Sequence, residues 1–124
     1  MDYTVQEEPE RLVTVVETPT FIARAAKLLT DDEHDALIAY LAANPTAGDL
    51  VPGTGGIRKF RWALAGRGKR GGARVIHFFH NADLPVFALT MFAKNARVDL
   101  SQEERNEFRE LTKVLVKTYG RKKR

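Results

Sequence analysis

The chain has 124 residues and a net charge of +4, with 44% hydrophobic and 29% charged residues, which is typical of one small globular domain. It has no cysteine, so disulfides, a thiolate nucleophile and cysteine-bound zinc are excluded, and we expect no metal or cofactor. Because it also lacks an apolar run long enough to span a membrane and begins with acidic residues, we expect a cytosolic protein.

The first 44 residues predict an arm, a strand and two helices. Residues 1–11 are acidic, lack periodicity and predict a flexible arm, and the β-branched run Leu12–Glu17 predicts a first strand. Thr18-Pro19 supplies an N-cap and a proline at the first helical position. The segment Thr30–Glu33 has the pattern of a capping box that opens a second helix, and Asn44-Pro45 ends it.

The middle of the chain predicts three strands after a loop over 47–56. Ile57–Leu64 alternates in polarity, and Ala65–Gly72, with four glycines and three bases, predicts a mobile hairpin connection. Ala73–His80 and Leu84–Ala93 are nearly continuous apolar runs of the kind found at the centre of a sheet.

The last element is a helix. Ser101–Glu104 has another capping-box pattern, and apolar residues follow at helical spacing as far as Tyr119. The element order β-α-α-β-β-β-α predicts an α+β fold, an antiparallel meander sheet with helices packed on one face. We expect a single domain over residues 12–119 and a basic tail over residues 120–124.

Charge is strongly segregated along the chain. Residues 1–49 carry ten acids and three bases, residues 50–82 carry seven bases and no acid, and residues 83–124 carry six acids and ten bases. A stretch of this length without a carboxylate favours a polyanionic partner. A solvated basic face is the alternative interpretation.

Sequence motifs of the common catalytic classes are absent. Gly66–Gly71 superficially matches a dinucleotide-binding glycine pattern, but it precedes a strand instead of opening a helix. The three histidines, His34, His77 and His80, are interpreted as packed or surface side chains rather than catalytic bases.

The predicted strands bring basic residues together. On Ile57–Leu64 the alternation turns Phe60, Trp62 and Leu64 toward the core, and it turns Lys59 and Arg61 to the other side. In an antiparallel meander, the adjoining strand ends and the connection between them meet. They carry a common set of bases: Lys59, Arg61, Arg67, Lys69, Arg70, Arg74 and Lys94.

A cluster of guanidinium and ammonium groups suits the chemistry of RNA cleavage. It can neutralise the nonbridging oxygens of a phosphodiester, stabilise the 5′-oxygen leaving group and assist deprotonation of the 2′-hydroxyl. The same groups could instead bind phosphates without cleaving them.

Three sequence blocks resemble a known family. The blocks are Arg58–Leu64, Gly66–Ile76, and Phe92–Asn95 followed by Asp99-Leu100-Ser101. They are similar to the HigB-like branch of the RelE/ParE toxin superfamily, and the resemblance extends from about Glu17 to Tyr119.

The resemblance implies the toxin of a type II toxin–antitoxin pair, with a microbial-RNase-like fold and cleavage of translated mRNA in the ribosomal A site. Its implied partners are the ribosome, mRNA and a cognate antitoxin that often carries a helix-turn-helix DNA-binding domain. Carried over residue by residue, the catalytic positions are Lys59, Arg61, Arg74 and Lys94. The neighbouring bases expected to bind RNA are Arg58, Arg67, Lys69 and Arg70. No metal ligand is implied, and the expected product is a 2′,3′-cyclic phosphate.

The chain departs from the RelE pattern after the last strand. RelE-type enzymes often have a tyrosine there, whereas Ala96, Arg97 and Val98 follow Asn95 in this sequence, and the next tyrosine is Tyr119. The resemblance therefore does not identify the general base.

Two other function classes stay open. ParE-type proteins share the fold and inhibit DNA gyrase by protein binding without nuclease chemistry, but they are not expected to need a dense basic cluster. A plain nucleic-acid-binding module could stack bases on its aromatic residues. The predicted orientation of Phe60 and Trp62 toward the core argues against that module.

Overall fold

Five strands and three helices make up the described part of the chain, which is residues 12–64, 72–97 and 99–120 of a computed structural model. In chain order the elements are β1 (Val15–Glu17), α1 (Pro19–Leu28), α2 (Asp31–Ala43), β2 (Asp49–Leu50), β3 (Ile57–Trp62), β4 (Ala73–Phe78), β5 (Val86–Ala93) and α3 (Gln102–Gly120). The predicted arm, most of the glycine-rich connection and nearly all of the basic tail lie outside the described residues. No described helix has the length and apolarity that crossing a membrane requires.

The five strands form one mixed sheet in the order β1-β5-β4-β3-β2. The predicted antiparallel meander is confirmed as β3-β4-β5, and β1 lies parallel to β5 at one edge. The two-residue strand β2, which pairs antiparallel with β3 at the other edge, lies in the segment predicted as a loop. Two residues are too few to show an alternating pattern, so periodicity could not predict this strand.

The helix starts lie where the capping residues predicted them. The Thr18 hydroxyl accepts from the amide of Phe21, and Pro19 opens α1. Thr30 and Glu33 form a complete capping box at the start of α2. At α3 the Ser101 hydroxyl accepts from the amide of Glu104, whose carboxylate accepts from the amide of Ser101. These local bonds satisfy amides that the first helical turn leaves without partners.

The helices cover both faces of the sheet, so the prediction that they pack on one face is wrong. On one face α1 and α2 pack through Phe21 and Leu37 against strand residues that include Val75. On the other face α3 packs through Phe108 and Leu111 against a second cluster. Because β4 and β5 are apolar on both faces, burial of only one face would leave a large hydrophobic surface in water. Helix α3 provides the second layer.

The adjoining ends of the three meander strands meet at one end of the sheet. Trp62 pairs with Ala73, and Ala73 pairs with Ala93. Gly72 has a φ of +58°, and a Cβ there would lie 2.5 Å from the carbonyl oxygen of Trp62. A side chain would therefore be strained and would clash. The strand ends approach this closely because residue 72 is glycine.

Candidate active site

Three of the four predicted catalytic residues lie on the face of the sheet covered by α3. Lys59 pairs with Ile76, and Arg61 pairs with Arg74. Ile76 belongs to the apolar cluster under α3, and side chains two residues apart on a strand share a face. Lys59, Arg61 and Arg74 therefore project from that same face, at the end where the three strands meet.

Arg61 and Arg74 are direct cross-strand partners. Side chains in such positions have Cβ atoms about 5 Å apart, and like charges there destabilise a sheet. The Nε atom of Arg74 is buried and has no hydrogen-bond partner among the described residues. A guanidinium group stays charged, and leaving a buried charged donor unsatisfied is costly. Both observations indicate that an anion would be favourable between Arg61 and Arg74.

Lys59 forms an ion pair with Asp99, which lies outside the acid-free stretch of residues 50–82. Nζ of Lys59 donates to Oδ2 of Asp99 at 2.8 Å, and Nη2 of Arg105 lies 3.6 Å from the same oxygen. Partial burial raises the pKa of Asp99, but the Lys59 hydrogen bond, the amide of Leu100 and the positive charge of Arg105 outweigh it and hold the pKa below its ordinary value. Asp99 therefore holds the Lys59 ammonium in position beside the two arginines through this hydrogen bond.

Lys94 follows the last residue of β5. Its backbone amide donates to the carbonyl of Gly72 at 3.0 Å. The Lys94 backbone therefore lies beside Gly72, which precedes Arg74 by two residues. The structure thus brings all four predicted catalytic positions to one end of the sheet.

Arg97 is a further cation beside this cluster. Its guanidinium carbon lies 4.4 Å from the ring centroid of Phe92, the cross-strand partner of Arg74. Its two terminal nitrogens donate to the two carboxylate oxygens of Glu104 at 2.8 and 2.9 Å. These bonds, which outweigh partial burial, lower the pKa of Glu104. Arg97 is therefore fixed between a ring and a carboxylate.

The four bases expected to bind RNA are not brought together in the described structure. Arg58 projects from the opposite face of β3, where its guanidinium donates to the carbonyls of Thr46 and Gly48 at 3.2 and 3.1 Å. We assign Arg58 to holding this loop. Arg67, Lys69 and Arg70 lie outside the described residues.

A family comparison agrees with this architecture. The model of the RelE toxin of the RelE / RelB toxin-antitoxin system matches residues 17–122, which is most of the chain. The chain belongs to the RelE toxin family. It is a toxin of a toxin–antitoxin system, and the family implies a cognate antitoxin as its partner.

The histidines of the toxin lie away from the basic cluster. The Nε2 atom of buried His77 donates to the carbonyl of Ala47 at 2.9 Å, on the face opposite Arg74. Burial lowers the pKa of His77 to about 4, with a smaller contribution from the charge of Arg58, although the Ala47 bond acts in the other direction. His34 contacts Glu17 at 2.7 Å, and His80 is exposed beside the ring of Phe78.

Aromatic residues of the toxin serve its packing. Phe60 and Trp62 pack against the cluster under α1 and α2, as predicted, and Tyr40 contacts both rings at centroid distances of 5.6 and 5.4 Å. Tyr119 packs against Phe87 at 5.0 Å. Phe87 pairs with Phe78, at the end of β4 opposite Arg74, so Tyr119 does not replace the tyrosine that RelE-type enzymes often carry.

Sequence reasoning missed three charged residues of this site: Arg97, Asp99 and Arg105. Asp99 stands in a block that carried the family resemblance, two residues before the capping box of α3, and this position was an available signal. The ion pair between Asp99 and Lys59 spans 40 residues of sequence, and no local pattern encodes a contact at that separation. Within the described ranges, no three His, Asp or Glu side chains form a group that could hold a metal ion.

Proposed function

We propose that this toxin is a ribosome-dependent endoribonuclease that cleaves translated mRNA in the A site. The observation that carries the proposal is the direct opposition of Arg61 and Arg74, with the Nε of Arg74 buried and unpaired. An RNA phosphate between these guanidinium groups relieves their repulsion and satisfies the buried donor through charge-assisted hydrogen bonds.

The proposed reaction is a transesterification within RNA. The 2′-oxygen attacks the adjacent phosphorus, the bond from phosphorus to the 5′-oxygen breaks, and a 2′,3′-cyclic phosphate forms. The 2′-hydroxyl gives up one proton and the 5′-oxygen receives one. Arg61 and Arg74 stabilise the charge on the nonbridging oxygens.

We assign the two lysines to the reacting oxygens. Lys59, whose Nζ donates to Asp99 at 2.8 Å, suits stabilisation of the leaving 5′-oxygen. Lys94, at the neighbouring strand end, is assigned to the 2′-hydroxyl. Because the site is already rich in fixed positive charge, we propose cleavage without a divalent metal.

The remaining parts of the proposal rest on the sequence resemblance. We assign the toxin to the HigB-like branch of the family and to the cytoplasm, where translating ribosomes are found. The antitoxin is proposed to present carboxylates to Lys59 and Arg61 and often to carry a helix-turn-helix domain. Electrostatic complementarity of this kind raises the association rate and makes it depend on salt.

Toeprinting of mRNA on translating ribosomes tests the proposal. We expect the purified toxin to produce cuts at the A-site codon, and we expect the upstream fragment to end in a 2′,3′-cyclic phosphate or a 3′-phosphate. A 3′-hydroxyl with a 5′-phosphate on the downstream fragment indicates metal-assisted hydrolysis and contradicts the proposed chemistry. Intact mRNA together with inhibition of gyrase supercoiling supports the ParE-type alternative.

A further inference from the structure

Four basic residues recur at intervals of four residues along α3. They are Arg105, Arg109, Lys113 and Lys117, which we call the α3 basic row; Lys113 and Lys117 are exposed, and Arg105 and Arg109 are half-buried. Residues at this spacing are neighbours on a helix surface. Each step rises about 6 Å, so the row extends about 18 Å. A step of this size is comparable to the separation of neighbouring phosphates along one RNA strand.

The helix itself does not explain the row. Bases near a helix C-terminus complement the helix dipole, which accounts for Lys117, but Arg105 and Arg109 lie in the first half of α3, where the dipole does not favour them. The row also contains three successive like-charge pairs four residues apart, and each such pair destabilises a helix by about 0.2–0.5 kcal/mol. A helix selected for stability alone would alternate the charges.

Arg105 contacts Asp99, but neighbouring carboxylates neutralise little of the rest of the row. Lys113 lies 3.4 Å from Glu110, but both side chains are about two-thirds exposed (67% and 66%), and exposed pairs of this kind contribute little. Arg109 donates to the carbonyl of Gly53 at 3.0 Å and to the amide oxygen of Asn106 at 3.3 Å, and neither partner removes its charge.

One end of the row joins the candidate active site. Arg105 lies 3.6 Å from the Asp99 oxygen that accepts from Lys59. The row therefore adjoins the cluster of Lys59, Arg61 and Arg74, with the carboxylate of Asp99 between Arg105 and Lys59.

The other end of the row borders a cavity of about 400 Å³. The lining residues are Gly55, His80, Arg109, Thr112, Lys113, Val116 and Lys117; four of them are basic and none is a carboxylate. Gly55 has a φ of +78°, and a Cβ there would lie 2.6 Å from the hydroxyl of Thr112. The close approach of α3 to this loop, which shapes the cavity, therefore requires glycine.

We propose that the α3 basic row binds successive phosphates of the substrate RNA strand and guides that strand from the active site to the cavity beside His80. The proposal rests on the proposed nuclease function for the position of the scissile phosphate. Continuity with Lys59 favours the substrate strand over ribosomal RNA, because a strand that leaves the reacting phosphate meets Arg105 first.

Binding of RNA that cannot be cut tests the row separately from cleavage. The full-length toxin is titrated at several salt concentrations with a 2′-O-methylated decanucleotide and a trinucleotide of the same composition. The double variant Lys113→Gln/Lys117→Gln is compared with Arg24→Gln/Lys27→Gln, which removes two exposed bases from α1. Thermal unfolding checks that each variant is folded, and the single variant Lys117→Gln replaces the pair if the double variant is not.

The slope of log affinity against log salt is negative. For the decanucleotide, we expect the row variant to reduce the magnitude of this slope by about 1.4, since each phosphate contact with a single strand contributes about 0.7. The trinucleotide and the α1 control should retain the wild-type slope. Equal losses for both RNA lengths, or a row variant that matches the α1 control, overturn the proposal. A loss of ribosome affinity with unchanged decanucleotide binding also overturns it, in favour of ribosomal RNA.

These outcomes separate the row from the nuclease proposal. If the toxin binds the decanucleotide as expected but cuts no mRNA on ribosomes, the role of the row is supported and the proposed nuclease function is contradicted. If the toxin cuts at the A site but substitution of Lys113 and Lys117 has no length-dependent effect, only the role of the row is contradicted.

Discussion

The two faces of β4 each carry a basic side chain, buried at His77 and half-buried at Arg74, and the surroundings of the two side chains differ. His77 projects toward the layer of α1 and α2, where its Nε2 donates to Ala47 and its ring lies 5.3 Å from that of Phe60. Arg74, three residues earlier, projects toward α3 and opposes another arginine. Each side chain has one buried nitrogen without a partner among the described residues.

The difference lies in the charge. An imidazole can lose its proton, so burial makes His77 neutral, and the unpaired Nδ1 is then a neutral acceptor in an aromatic environment. A guanidinium group cannot adjust in this way, because it stays protonated. The neutral imidazole of His77 therefore fits an apolar layer, whereas the guanidinium of Arg74 keeps a charge that favours an anion as its partner.

The largest expected effect is on the α3 face. Arg74→Ala should lower single-turnover cleavage by more than about 10³-fold, since a guanidinium bound to the phosphate as proposed offers several charge-assisted bonds, and one such donor is worth about 10² to 10³. The free energy of unfolding of this variant should not fall, because the substitution removes the repulsion between Arg74 and Arg61. Arg58→Ala, on the other face of the neighbouring strand, is the matched control and should keep near wild-type cleavage. A folded Arg74→Ala toxin that still arrests growth contradicts the phosphate-binding role.

The lysines beside the arginines should have the next largest effect. Lys59→Ala and Lys94→Ala should each lower the single-turnover cleavage rate by about 10² to 10⁴, the usual loss for a group that assists proton transfer. Urea unfolding of both variants checks that the loss is chemical. If either folded variant cleaves at a rate close to wild type, the role of that lysine is wrong.

Substitutions in the layer of α1 and α2 should act on stability instead. Phe21 is fully buried, and Phe21→Ala should lower the free energy of unfolding by about 3–5 kcal/mol. The neighbouring Ile22 is 52% exposed, so Ile22→Ala should change it by less than about 0.5 kcal/mol. Urea unfolding measures both. Equal effects of the two substitutions are incompatible with a core centred on Phe21.

The smallest expected effect is the pH dependence from His77. Its folded-state pKa of about 4 lies below the ordinary 6.5, so its neutral form contributes stability that is full above pH 6.5 and is lost as the pH falls toward 4. Between about pH 7.5 and about pH 5 the loss should be about 2 kcal/mol. His77→Gln should remove this part of the pH dependence, whereas His80→Gln should keep it. Identical pH profiles for wild type and His77→Gln argue against a neutral buried imidazole.

Local sequence determined much of the fold. Thr18-Pro19, Thr30–Glu33 and Ser101–Glu104 predicted all three described helix starts, because a cap is a contact between residues close in sequence. The alternation over Ile57–Leu64 correctly separated Phe60 and Trp62 from Lys59 and Arg61, because strand geometry fixes which side chains share a face. The candidate site residues on β3 and β4 were identified by the same alternation together with the family resemblance.

Tertiary structure alone decided the features that depend on distant contacts. The two-residue strand β2 exists because it pairs with β3, and α3 covers the second face because β4 and β5 are apolar on both faces. Asp99 reaches Lys59 across 40 residues, and the burial that sets the protonation of His77 comes from several elements. Composition and periodicity report which side chains a segment offers, but a charge acquires its partner, its burial and hence its chemistry only when separate segments pack together.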